Sequence, residues 1–273
     1  LFIGDIFGPR AVRTLEIHLQ NIIKKFNIDF VIAQGENVSS RKGMVENDYL
    51  KLKKAGINVF TMGNHVWAKP EIKKIINNGD IVRPYNIGLG YQGQGTGVYK
   101  IKDKTIRVTC MLGITFNELT YGWDQRYAEN FFDSFEEIED LEDPTDFHIL
   151  DFHAETTSEK NVFGLFLDGK VDAMLGTHTH VQTNDEQIFP KGTAFISDVG
   201  MTGPILSAIG ADWKSVYSKM RYGRYSVFKV AETDIQINAV LLELNKFNNK
   251  PNTIQKVNLL VKNNQLIWKE QPN

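Results

Sequence analysis

The chain has 273 residues, 42% hydrophobic and 23% charged, an ordinary balance for a soluble globular protein able to bury a large core. With 31 basic and 33 acidic side chains the formal charge is -2, so no global basic field attracts nucleic acid; no Lys/Arg run is long enough to suggest a stable polymeric partner. Cys110 is the only cysteine, which excludes an intramolecular disulfide and fits a reducing, cytoplasmic setting, and no stretch approaches the length of a membrane span.

The chain starts Leu-Phe-Ile-Gly-Asp without an initiator Met, which predicts a first strand that begins upstream of Leu1 and ends near Gly4. Val12, Leu15, Leu19, Ile22 and Phe26 recur at three- and four-residue spacing, the pattern of an amphipathic helix; His18 falls off that stripe and is expected at the surface. A strand over 29–34, a helix near 47–55, a strand over 58–62 and a helix opened by Pro70 follow. This alternation predicts a parallel sheet with right-handed crossovers.

Runs at 98–101 and 105–112, parted by Lys102-Asp103-Lys104, read as a hairpin, with Cys110 a packed and inert thiol in its second strand. The acidic stretch 133–146 reads as solvated helix plus loop. Strand signals return at 147–152, with His148 inside as a satisfied sheet histidine, and again at 171–175 and 193–197. Those at 225–230, 235–242, 254–261 and 265–268 look antiparallel and are expected to form a second sheet. With no internal repeat or low-complexity linker, residues 1–273 read as one domain with two packed sheets.

Polar clusters stand where the apolar runs stop: Asp5, Glu36-Asn37, Asn64-His65, His153, and His178 with His180. In an open α/β sheet, ligands bind beyond the carboxyl ends of the strands, so these groups are expected to converge on one edge. Singly, each has a structural explanation, such as a helix cap for Asp5 or Glu36, a turn for Asn64-His65 or a strand end for His153. Together, their oxygen and imidazole donors suit divalent first-row metals. In an extended segment His178 and His180 would point the same way, roughly 6.6 Å apart, each reaching a different ion of a two-metal site, with Glu36 as the natural bridge.

Two further features carry less. Gly88-Leu89-Gly90-Tyr91-Gln92-Gly93 matches a dinucleotide fingerprint but does not run from strand to helix, so it reads as a flexible loop. The aromatic cluster Trp67, Tyr121 and Trp123 reads as core or, where it comes near His65, as a stack for a nucleobase.

The elements Gly4-Asp5-Ile6-Phe7, Gly35-Glu36-Asn37, Gly63-Asn64-His65, His153 and Gly176-Thr177-His178-Thr179-His180 resemble the motifs of calcineurin-like metallophosphoesterases. Phe7 stands where that superfamily usually has a histidine ligand, and Glu36 where it has the bridging Asp. The YmdB-type bacterial phosphodiesterases share both departures, as well as the blocks from His153 to Lys160, from Gly176 to Glu186 and from Asp198 to Pro204. The loop from Phe7 to Arg10 is shorter than is usual in that group, which leaves a phosphate-binding role for Arg10 open.

The resemblance implies a two-sheet α/β/β/α sandwich of mixed sheets flanked by helices, and two divalent ions, with Fe, Mn and Zn all open. It assigns Asp5, Glu36, Asn37 and His180 to one ion, and Glu36, Asn64, His153 and His178 to the other. His65 would contact the phosphate and protonate the leaving oxygen while a bridging hydroxide attacks phosphorus. The implied substrates are small nucleotide phosphodiesters, 2′,3′-cyclic ones preferred, and a homo-oligomer is compatible. The alternatives are a phosphomonoesterase or phosphoprotein phosphatase, and a regulatory module whose metals are mainly structural.

Overall fold

The computed structural model describes residues 1–120, 122–245 and 250–268. Its strands form two sheets. In the first, Phe2–Ile3, Ile32–Gln34, Val59–Thr61 and Ile81–Val82 lie side by side and parallel. On the other side of Phe2–Ile3 the sheet continues antiparallel through Ile235–Glu243, Thr253–Lys262 and Gln265–Ile267. A short strand, Asp5–Ile6, pairs in parallel with Met201–Pro204. The second sheet runs Gln187–Ile188, Ala194–Ile196, Ala173–Thr177, Phe147–His153, Lys104–Leu112, Thr96–Ile101. The hairpin around Lys102-Asp103 is present as expected.

Period-two alternation sorts the side chains into layers. Phe2, Ile32, Val59 and Val240 of the first sheet meet Val108, Ile149, Leu175 and Ile196 of the second in one core. Their chain neighbours Ile3, Ala33, Phe60 and Ala239 face helices α1 (Gly8–Phe26) and α2 (Glu46–Ala55). Leu150, Met174 and Phe195 face outward from the second sheet, onto α3 (Phe131–Leu141) and α4 (Thr157–Phe166). The result is the α/β/β/α sandwich of mixed sheets that the resemblance implied.

Four local expectations are corrected. The C-terminal strands extend the first sheet rather than forming a second, because Val240 and Ala239 register against Phe2 and Ile3. Residues 225–230 have strand-forming side chains but, among the described residues, no partner strand; Val230 alone bridges there, to Ala211. His18 is buried, covered by the backbone at Asn264 of the C-terminal hairpin. Pro70 opens a short 3-10 helix, Pro70–Lys74, rather than a full α-helix.

Candidate metal centre

The expected convergence at the strand ends is observed. Glu36 and Asn37 follow Ile32–Gln34, Asn64 and His65 follow Val59–Thr61, His153 is the last residue of its strand, and His178 follows Ala173–Thr177. Asp5 reaches the same edge on its two-residue strand, its N–H donating to Gly200 O at 3.0 Å. Neither Asp5 nor Glu36 caps a helix: the N-cap positions of α1 and α2 are Phe7 and Val45, both without a side-chain cap. Glu36 Oε2 instead accepts from the N–H of His65, at 2.7 Å.

The ligand atoms fall into two groups. In one, His180 Nε2 lies 3.2 Å from Asn37 Oδ1 and 3.6 Å from Asp5 Oδ1. In the other, His153 Nε2 lies 3.0 Å from Asn64 Oδ1, 2.9 Å from His178 Nδ1 and 3.3 Å from Glu36 Oε1. Ligand atoms of Glu36, His153 and His178 all lie within 4.8 Å of one another. So many acceptor atoms facing one imidazole nitrogen cannot all be satisfied by a single N–H, whereas a cation satisfies them together. Among the described residues Asp5 Oδ1 is buried without a hydrogen-bond partner, a second feature that a cation would satisfy. The donor set therefore fits divalent ions.

His178 and His180 do separate between the two groups, but not by strand geometry. Both lie in the left-handed region, with φ of 97° and 65°. The turn is held by Asp198, whose Oδ2 accepts from the N–H (3.0 Å) and hydroxyl (2.7 Å) of Thr179. Backbone strain of this kind persists only where the surroundings over-determine it, and it is concentrated at functional sites. Gly63 is dictated by packing: a Cβ there would overlap His153 Nε2 and Glu36 Oε2.

Charge follows the geometry. Burial opposes ionisation of Glu36 and Asp5, yet imidazole neighbours, His153 above all for Glu36 and His180 for Asp5, hold both carboxyls below their ordinary range. Burial likewise opposes a proton on His153, but Glu36 pushes its pKa up to about 9. His65 behaves differently. Burial outweighs Glu36 and brings it down to about 4.

Residues 1–257 match the family model described as YmdB-like protein. The chain belongs to the YmdB-like family. Among its relatives, the 2′,3′-cyclic-nucleotide 2′-phosphodiesterase of Bacillus subtilis is 35% identical over 258 residues, 94% of this chain and 95% of that one. The crystal structure of a novel phosphatase from Mycoplasma pneumoniae superposes with a TM-score of 0.87 at 37% identity, covering 95% of this chain and 92% of the other. A 5′-nucleotidase precursor from Thermus thermophilus shares the fold alone, at 12% identity and a TM-score of 0.52, covering 92% of this chain and 48% of that one.

In this YmdB-like chain several residues around the centre escaped sequence reasoning. Glu155 Oε2 lies 2.9 Å from His178 Nε2, while the other ring nitrogen, Nδ1, faces His153 Nε2. Thr177 Oγ1 (2.9 Å) and Gln34 Nε2 (3.1 Å) anchor His153 Nδ1, so that Nε2 is the atom presented to the site; Thr177 in turn donates to buried Asp151, at 2.7 Å. Arg41 and Lys42 form a basic pair near Glu36: burial, then Arg41, holds the Lys42 ammonium below its ordinary range, with Glu36 opposing them. Their one sequence signal is a basic dipeptide a few residues beyond a Gly-Glu-Asn strand end. Trp123 donates from Nε1 to Asn64 O at 2.7 Å and packs edge-on against Trp67, while Tyr121 lies outside the described residues.

Proposed function

We propose that this chain is a metal-dependent phosphodiesterase of small nucleotides, with 2′,3′-cyclic nucleotides favoured. One observation carries the reading: N and O donors from five strand ends sort into two groups, His180 with Asn37 and Asp5, and His153 with Asn64, His178 and Glu36. The Bacillus subtilis relative, named as a 2′,3′-cyclic-nucleotide 2′-phosphodiesterase, supports the substrate class.

Asp5, Glu36, Asn37 and His180 would hold one ion, and Glu36, Asn64, His153 and His178 the other. Iron or manganese suits these ligands best, and zinc is compatible with them. Bound there, two such ions would supply Lewis-acid stabilisation of the phosphoryl oxygens and a water acidic enough to react near neutral pH.

The chain's own groups do the rest. Thr177 and Gln34 fix the His153 ring, and the Asp198-held turn fixes His178 and His180. Arg41 and Lys42 attract the anionic substrate. His65, with the bridge-region backbone common at active sites (φ -97°, ψ 11°), contacts the phosphate and delivers a proton to the leaving oxygen. The arriving negative charge raises its proton affinity from the depressed resting level.

The His65→Ala variant should keep its metal content while hydrolysis of a model phosphodiester falls by roughly 10²–10⁴. Unchanged turnover would remove His65 from the mechanism. The Mycoplasma pneumoniae structure, described as a phosphatase, favours a second reading as a phosphomonoesterase. Parallel assays of mono- and diester substrates on one preparation separate the two.

A further inference from the structure

Residues 212–229 leave the sandwich as an arm closed at its root, where Ala211 bridges Val230, Asp212 N–H donates to Lys229 O (2.9 Å) and Ala231 N–H to Gly210 O (2.9 Å). The arm contains helix α5 (Trp213–Tyr222), capped by Asp212 and ended by Gly223 in the left-handed region, and no residue of this helix is buried. A helix in a globular fold normally buries an apolar stripe; this one packs none away.

Its composition departs from the rest of the chain. Lys214, Lys219, Arg221, Arg224 and Lys229 fall between 213 and 230 with no Asp or Glu among them, in a protein whose net charge is -2. None of the five forms a salt bridge among the described residues. Between them stand exposed rings: Trp213, Tyr217, Tyr222 and Tyr225, the last 93% accessible. Arg221 lies over Tyr217 and Tyr222, at 6.0 and 5.6 Å, and Arg224 over Tyr222 at 5.1 Å. No Lys/Arg run marks this patch in the sequence, because single cations spaced along a helix and loop create it.

The root of the arm touches the metal centre. Ile209 O accepts from His180 Nδ1 at 2.9 Å. Phe228 lies under the Arg41 guanidinium, 5.4 Å away, and the Arg41 carbonyl accepts from Asn37 Nδ2 at 2.8 Å. We propose that the arm binds single-stranded RNA and leads its 3′ end, carrying a cyclic phosphate, to the metal centre. This rests on the phosphodiesterase reading for the chemistry at that end. The argument for RNA is charge complementarity with a polyanion together with the exposed aromatic rings of Trp213, Tyr217, Tyr222 and Tyr225. Interleaved cations and rings are how sequence-tolerant single-strand binders work, the rings stacking bases and the cations meeting phosphates.

The test is fluorescence anisotropy with a labelled decauridylate ending in a 2′,3′-cyclic phosphate, titrated with the full chain across a salt series. A variant combining Lys219→Gln, Arg221→Gln and Arg224→Gln should bind about tenfold or more weaker, and its log-log salt slope should fall by about 2, the loss of three single-strand phosphate contacts. The same variant should hydrolyse the cyclic mononucleotide at the wild-type rate. Wild-type protein that does not bind the oligomer at low salt, or equal binding by the variant, overturns the proposal. So does a variant that changes sedimentation mass without changing RNA affinity, since the arm would then be a contact between copies of the chain. Arm-dependent binding without hydrolysis of any cyclic phosphate would keep the RNA site and remove the phosphodiesterase reading.

Discussion

Lys160 Nζ lies 2.9 Å from Asp198 Oδ2, with both side chains almost wholly buried. Asp198 also holds Thr179 between the two histidines and accepts from Gly200 N–H through Oδ1, at 2.8 Å. One ion pair thus links α4 to the strained turn that carries His178 and His180.

Lys160→Met should cost about 3–5 kcal/mol in urea unfolding, the usual range when one partner of a buried pair is removed and the other charge is stranded. Metal content should fall with it, because the turn loses its anchor. A stability loss within about 0.5 kcal/mol would mean that the pair does not organise the turn.

Gly63→Ala should separate folding from function. The added methyl group overlaps His153 and Glu36, so the ligand cluster must open. Overpacking of this sort costs roughly 1–3 kcal/mol, which a chain of this size tolerates. Isothermal titration with manganese should then give no binding to a protein of native circular dichroism.

Metal addition should stabilise the fold. A divalent ion at 100 times its Kd adds about 2.7 kcal/mol to the folded state, so melting temperature should rise with added manganese or iron and drop with a chelator. Glu36→Gln should abolish most of that response. A variant that still responds fully would show that Glu36 is not the shared ligand.

His148 sets a pH dependence away from the metal centre. Burial, reinforced by Arg107, holds it down to about 3, against an ordinary value of 6.5. Its ring accepts or donates a bond with Thr109 Oγ1, at 2.9 Å, and stacks on Phe135. Between pH 6.5 and 3 the unfolded chain takes a proton that the folded one refuses, so stability present above pH 6.5 is lost as pH falls through that window. From pH 7 to pH 5, wild-type unfolding free energy should drop by about 1–2 kcal/mol more than that of His148→Gln. Equal slopes would place the histidine in contact with water.

The fold and centre were legible wherever chemistry follows chain-local pattern. Strand ends appear as apolar runs stopping at Gly-Glu-Asn or Gly-Asn-His, so the seven ligand candidates could be named before any contact was known. Pairing between distant segments was not legible. Nothing within 235–242 records that Val240 sits opposite Phe2 rather than in a sheet of its own. His18 looked exposed because the segment that covers it lies more than two hundred residues away. At 225–230, Tyr225, Val227 and Phe228 have strand propensity, but propensity needs a neighbouring edge to satisfy it. The supporting residues Thr177, Asp151 and Glu155 have no motif of their own; only the position of His153 and His178 gives them meaning.

The first sheet joins two segments more than two hundred residues apart, Phe2–Ile3 and Ile235–Glu243, and Asp5 hangs from that junction: Gly4 N–H bonds to Asn238 O and Asp5 N–H to Gly200 O. On the ribosome Asp5 therefore emerges more than two hundred residues before Asn238, whose backbone completes its support. Products that stop before Asn238 lack that support, so the candidate centre assembles only after the segment carrying Asn238 has been made.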